Sequence, residues 1–132
     1  MADMFKLKVI TPDRNFYEGE VSMVEMTGTE GDMGIYKNHV PMTVILAPGI
    51  LKIHEESGVR KAALHSGFVE ILPEKVTILA EAVEWPDEID KKRAEEAKIR
   101  AERRLSDKTG GIDIARAEVA LKRALTRLEV AK

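Results

Sequence analysis

Cysteine is missing from all 132 residues, which excludes a disulfide framework, a thiolate metal site and a cysteine nucleophile, and fits a reducing compartment. Aromatic residues are scarce at 5%, and none lies beyond Trp85, so the last third of the chain has nothing on which nucleobases could stack. No stretch approaches the ~18 apolar residues of a membrane span, and Met1 to Lys8 lacks the apolar core of a signal peptide. A soluble protein is expected. The net charge of −2 offers no bulk attraction to nucleic acid. Catalytic signals are missing too. His39, His54 and His65 fall in β-patterned segments without metal-ligand spacing, and His65 beside Ser66 is sequence adjacency rather than a nucleophile with its base. Glu55 and Glu56 sit in an expected hairpin turn, where a solvated role is the ordinary one, so an enzyme is not expected.

Two kinds of sequence meet at Trp85 and Pro86. Residues 1–86 carry 8 Lys+Arg against 13 Asp+Glu, a balance of −5, whereas residues 87–132 carry 13 against 10, a balance of +3. The first part reads as short strands. Phe5, Leu7 and Val9 alternate with Lys6 and Lys8, and Thr11 to Arg14 turn the chain toward Phe16 and Tyr17. Further runs cover Val21–Met26, Met42–Leu46, Ile50–Ile53, Val59–Leu64, Phe68–Leu72 and Val76–Val83, separated by turn residues such as Pro48 with Gly49 and Ser66 with Gly67. Eight or more short strands at this spacing predict an antiparallel β-sandwich or flattened barrel over 1–85. The Gly28 to Gly34 stretch lacks the Lys-Ser/Thr ending of a phosphate cradle and reads as a turn.

Residues 86–132 predict a two-helix hairpin. Asp87 can cap a first helix running to Leu105, with Asp90 in its first turn. Ser106 to Gly111 break it, and a second helix runs from about Ile112 to Val130. Ala94, Ala97, Ala101 and Leu105 line one stripe; Ile114, Ala117, Leu121, Ala124, Leu128 and Ala131 line the other. A seam of methyl groups buries little area at about 0.8 kcal/mol per CH₂, while ordering each residue costs roughly 1–2 kcal/mol, so the hairpin needs a surface to dock on. The string Ile89, Asp90, Lys91, Lys92, Arg93, Ala94 recurs as Ile112, Asp113, Ile114, Ala115, Arg116, Ala117, the pattern of ordinary helix-start chemistry.

Several strings, in this order and spacing, carry a resemblance over nearly the whole chain. They are Val9 to Asp13 (VITPD), Tyr17 to Gly19 (YEG), Gly31 to Ile35 (GDMGI) with His39 to Pro41 (HVP), Ser66 to Leu72 (SGFVEIL) and Val76 to Ala80 (VTILA). In the tail they are Ile89 to Ala94, Ala101 to Leu105 (AERRL) and Arg116 to Leu128 (RAEVALKRALTRL). The chain resembles the epsilon subunit of the bacterial F-type ATP synthase. The resemblance implies a non-catalytic regulatory and coupling subunit, peripheral on the cytoplasmic face of the cell membrane, whose sandwich binds the gamma subunit of the rotor shaft and the membrane c-ring. It implies a hairpin that lies folded on the sandwich or extends to the catalytic beta and alpha subunits and inhibits ATP hydrolysis.

It further implies that ATP, with or without magnesium, stabilises the folded hairpin. Ile89 and Ala94 would contact adenine, Glu84 and Asp90 would accept from its amino group or orient it, and Arg93, Arg100, Arg123 and Arg127 would hold the phosphates. Arg93 and Arg100 are seven residues apart and Arg123 and Arg127 four apart, so each pair shares a helix face, and planar guanidinium forks suit phosphate oxygens. Asp32 and His39 would face the membrane ring. Lys37 and Asn38 depart from the proline and glycine common before that histidine. Two other readings stand beside this one: an assembly and coupling subunit without functional ATP binding, and a small nucleic-acid-binding protein using the basic arm, which its lack of aromatics and charge of only +3 disfavour.

Overall fold

The computed structural model describes residues 3–107 and 113–132, so the expected turn residues 108–111 and the helix start at Ile112 lie outside the described residues. Eight strands come first: β1 (Phe5–Thr11), β2 (Arg14–Val21), β3 (Met23–Gly28), β4 (Gly31–Ile35), β5 (Met42–Leu46), β6 (Gly49–Glu55), β7 (Gly58–Ile71) and β8 (Lys75–Glu84). A 3₁₀ turn (Pro86–Glu88) leads to helices α1 (Lys91–Ser106) and α2 (Ile114–Val130). A β-sandwich is thus followed by two helices.

Period-two burial builds the first strand: Phe5, Leu7 and Val9 are buried while Lys6 is exposed. Pro12 and Asp13 turn the chain into β2, with the Thr11 hydroxyl donating to Asp13 Oδ1 at 2.7 Å. The strands order as β2-β1-β8-β7-β5-β3-β4, with β6 pairing β3 and β7. One correction to an antiparallel sheet follows: β1 lies antiparallel to β2 but parallel to β8, with Val9 opposite Ile78. Closing the sandwich brings the first and last strands together, a non-local pairing that periodicity cannot reveal.

Strand boundaries differ in three other places. Ser22 separates β2 from β3 inside the run read as one strand, because its N–H turns to the His54 carbonyl at 2.9 Å. The Gly28 to Gly34 turn contains β4, in which Gly31, Asp32 and Gly34 are exposed, so no alternation marks it. The runs on either side of Ser66 and Gly67 form one 14-residue strand, β7, whose first half pairs β6 and second half β5. Ser66 (φ 58°) and Gly67 (φ 155°) bend this strand without ending it. A Cβ at Gly67 would strike the Leu79 carbonyl and stand 2.7 Å from Ala80 Cα. Core-facing parity shifts at the bend, from Ala62 and Leu64 to Val69 and Ile71, and opposite it from Val76 and Ile78 to Val83. One strand pair thereby serves both layers.

In the hairpin, Asp90 rather than Asp87 caps α1: its Oδ1 accepts from Arg93 N–H at 3.0 Å, while Asp87 belongs to the 3₁₀ turn. Asp113 caps α2 in the same way, accepting from Arg116 N–H at 3.1 Å, one residue beyond the expected start. Ala94 and Ala101 are buried on α1, Ala117 and Ala124 on α2. Ile114, expected in the seam, is 58% exposed because it opens the helix. A second face of α2, with Thr126 and Val130 buried, meets β6 and β7. Ala63 and His65 are buried on β7 but stand apart from the central core, on the side that α2 covers.

Candidate functional site

Where the hairpin leaves the sandwich, its root is held tightly. Trp85 stacks on Phe16 with ring centroids 4.3 Å apart, and the Arg60 guanidinium lies 3.9 Å over the indole. Arg14 grips Glu88 with two nitrogens, at 2.9 and 2.8 Å, and Glu88 Oε1 also accepts from Trp85 N–H at 2.8 Å. Arg14 holds the Glu88 carboxyl below the usual carboxylate range. The chain is therefore fixed through Glu88, and Ile89 and Asp90 join this root to the start of α1.

Just beyond this root α2 crosses the end of β8. Arg123 Nη2 donates to Glu81 at 3.0 Å, and Arg127 Nε to Glu84 Oε1 at 2.7 Å. The same Glu84 oxygen receives His65 Nε2–H at 2.8 Å. Burial pushes the Glu84 carboxyl up, but the hydrogen bonds from Arg127 and His65 outweigh it and hold the carboxyl below its usual range. Glu84, Arg127, Glu88 and Arg14 line one cavity of about 550 Å³ together with Asp13 and Glu81. Four carboxylates against two guanidinium groups give it an acidic wall.

Of the expected nucleotide residues, Glu84, Arg123 and Arg127 come together here. Ile89 is half-buried, Asp90 is at the cap of α1 and Ala94 is buried in the seam. Arg93 and Arg100 are exposed on α1 and form no ion pair with any described residue. The four guanidinium groups are thus split, two on acidic partners and two open to an anion. Toward the other end, Asp32 is exposed and accepts from the Thr27 hydroxyl at 2.9 Å. His39 lies between β4 and β5, its Nδ1–H donating to the Val40 carbonyl at 2.9 Å. Asn38 takes the left-handed φ of 65° that glycine adopts freely, and its N–H reaches the Pro73 carbonyl at 2.7 Å. The departure from glycine costs this loop little.

Sequence reasoning missed three features. His65 was passed over, although the buried run Ala62 to His65 breaks alternation and thereby signals cover on both faces. The Arg14–Glu88 tie joins residues 74 apart, and no local signal reveals it. An apolar row also crosses four strands in register, with Ile10 opposite Leu79, Leu79 opposite Phe68 and Phe68 opposite Ile45. It faces outward, with Ile45 65%, Phe68 44% and Leu79 38% exposed.

Residues 4–86 match the family described as ATP synthase, Delta/Epsilon chain, beta-sandwich domain, and residues 87–132 match its long alpha-helix domain. A β-sandwich domain followed by a long α-helix domain is the organisation of an ATP synthase delta/epsilon chain. The chain belongs to the ATP synthase delta/epsilon family, in its epsilon branch. Among its relatives, the ATP synthase epsilon chain of Clostridium novyi is 49% identical over 131 residues, covering 98% of this chain and 99% of that one. The epsilon chain of Halalkalibacterium halodurans is 47% identical over 126 residues, covering 95% of both. A chain in the structure of the Euglena gracilis mitochondrial ATP synthase, OSCP/F1/c-ring, matches with a TM-score of 0.83 at 24% identity, covering 97% of this chain and 81% of that chain. At that identity it speaks for the fold.

Proposed function

We propose that this chain is the regulatory and coupling subunit of the rotor stalk of a bacterial F-type ATP synthase, without catalytic residues of its own, held peripherally at the cytoplasmic face of the membrane. Its sandwich docks on the gamma subunit of the shaft and on the c-ring, the latter through the end that carries Asp32 and His39. The observation that carries the docking role is the outward apolar row Ile10, Leu79, Phe68 and Ile45, which lines a groove of about 610 Å³. A contiguous apolar patch on an otherwise polar sheet face marks an interface. Phe68→Glu is expected to leave the fold intact, since Phe68 already faces solvent, and to abolish co-purification with the gamma subunit. Unchanged co-purification would refute this docking face.

The hairpin is the movable part. It meets the sandwich through one face of α2, with Thr126 and Val130 against β6 and β7, and two partly exposed ion pairs add to that contact; each such pair is worth about 0–1 kcal/mol. Docked, it leaves the catalytic beta and alpha subunits free; extended, it reaches them and inhibits ATP hydrolysis. ATP favours the docked state to the extent that it binds that state more tightly. Arg93 and Arg100 stand open to a triphosphate, while Arg123 and Arg127 would exchange Glu81 and Glu84 for phosphate oxygens. Among the described residues no cluster of three or more His, Asp or Glu could hold a metal ion, so magnesium would enter on the phosphates themselves. A rise in melting temperature with millimolar ATP supports this site. No shift would leave the assembly and coupling role alone, and salt-sensitive binding to DNA or RNA would point to a nucleic-acid partner.

A further inference from the structure

At 2% exposure His65 is the most deeply buried ionisable side chain among the described residues, and the docking role gives it nothing to do. It lies on the face of β7 that α2 covers, opposite Ala82 of β8. A carboxylate only accepts, so the 2.8 Å contact with Glu84 fixes the proton of the neutral ring on Nε2. Nδ1 is then a lone pair, buried and without a partner. Facing the ring are Glu84 from β8 and Arg127 and Arg123 from α2, with Arg127 held by Glu84 and Arg123 by Glu81. A second proton would place an N–H at Nδ1 with no acceptor and set a cation beside two guanidinium groups. Lifting α2 removes its cover and both arginines together.

We propose that His65 is a proton-sensitive latch: α2 docks over the neutral imidazole and is released when the ring takes up a proton. The latch stands on the docked geometry and does not require the nucleotide reading above. Its direction follows from linkage. Burial first, and the two arginines with it, push the docked imidazole below its ordinary pKa against the opposing pull of Glu84. The undocked ring is free of both, so it binds protons more readily than the docked one. Docking is then fully stable above the ordinary histidine range, about pH 6.5, and weakens as pH falls through it, by up to about tenfold in the docking equilibrium per pH unit. Glu84, whose carboxyl is held low, stays ionised through that window and does not contribute to the change.

The absence of cysteine makes the test direct. Ser57→Cys and Ser106→Cys place a donor and an acceptor dye on the exposed β6–β7 turn and the exposed end of α1 in the full chain. Without nucleotide, energy transfer reporting the docked hairpin is expected to hold from pH 8 to 7 and to fall between pH 6.5 and 5.5. In that window the docking equilibrium should shift by up to about fivefold. His65→Gln keeps a donor for Glu84 and is expected to remove the pH response, whereas His54→Gln is expected to retain it. A parent hairpin that stays equally docked from pH 8 to 5.5, or a His65→Gln chain with the parent's response, overturns the proposal. Should His65→Gln fail to fold, the ring titration of His65 in the parent, followed by NMR, decides. A midpoint shared with hairpin release supports the latch, and separate midpoints refute it.

Discussion

Replacing Trp85 by Ala tests whether the root of the hairpin belongs to the sandwich. A tryptophan side chain buries about 150–250 Å² when covered. Trp85 is partly buried, packed against the core and sandwiched between Phe16 and Arg60. Taking about 130 Å² as lost beyond what alanine retains, at about 25 cal/mol per Å², gives about 3 kcal/mol, and a compact unfolded chain reduces this to about 2 kcal/mol. Loss of the aromatic stack adds about 0.5–1.5 kcal/mol and loss of the cation–π contact about 0.5–1 kcal/mol. The expected cost is therefore about 3–4 kcal/mol, a large share of the 5–15 kcal/mol of an ordinary domain. Urea unfolding followed by circular dichroism measures it. Trp85→Phe, which keeps a stacked ring on Phe16, should lose about half as much. A change below about 0.5 kcal/mol, the range of an ordinary surface substitution, would refute the anchored root and move the pivot of the hairpin back to Pro86.

Two further outcomes follow from the fold. Gly67→Ala drives a Cβ into the backbone of β8 and is expected to cost about 3 kcal/mol, lowering the melting temperature by roughly 10–20 °C; an unchanged melting temperature would mean that the bend is soft. Deletion of 87–132 should leave a folded sandwich that still joins the gamma subunit, because the core cluster contains no hairpin residue, and the assembled enzyme should then hydrolyse ATP faster than with the whole chain. Equal rates would end the inhibitory role.

The sequence showed what is local. Alternation marked β1, the run Val76–Val83 marked β8, and proline, glycine and aspartate marked the turns between runs. What it hid depends on partners far along the chain. β4 carries glycine and aspartate where a strand usually carries branched side chains, and only its pairing with β3, from Ile35 opposite Val24 to Gly31 opposite Gly28, makes it a strand. Ser66 and Gly67 look like a turn because their backbone angles are those of turns, yet pairing with β8 on both sides keeps β7 continuous. α2 presented one legible stripe to α1, but Thr126 and Val130 form a second face that only the sandwich explains. Glu84 was legible as a site residue through resemblance. Its actual partners, His65 and Arg127, lie 19 and 43 residues away.

The repeated string at the two helix starts gives the sharpest test of the nucleotide site. Asp90 and Asp113 do the same structural work, each accepting from the backbone N–H three residues on, at 3.0 and 3.1 Å. Either Asp→Ala change removes a cap worth about 1 kcal/mol and so weakens the hairpin about fivefold. An effect on ATP binding that passes only through hairpin stability can then be no larger than about fivefold, and it must be equal for both. The Asp90 cap uses Oδ1, which leaves Oδ2 to accept from a ligand. A hydrogen bond there, worth about 1–1.5 kcal/mol net, adds about a further tenfold loss. Calorimetric titration of the full chain with ATP is therefore expected to show Asp90→Ala weakened about fiftyfold and Asp113→Ala about fivefold or less. Equal losses would mean that Asp90 is only a cap, and that ATP, if it binds, finds its adenine site elsewhere on the hairpin.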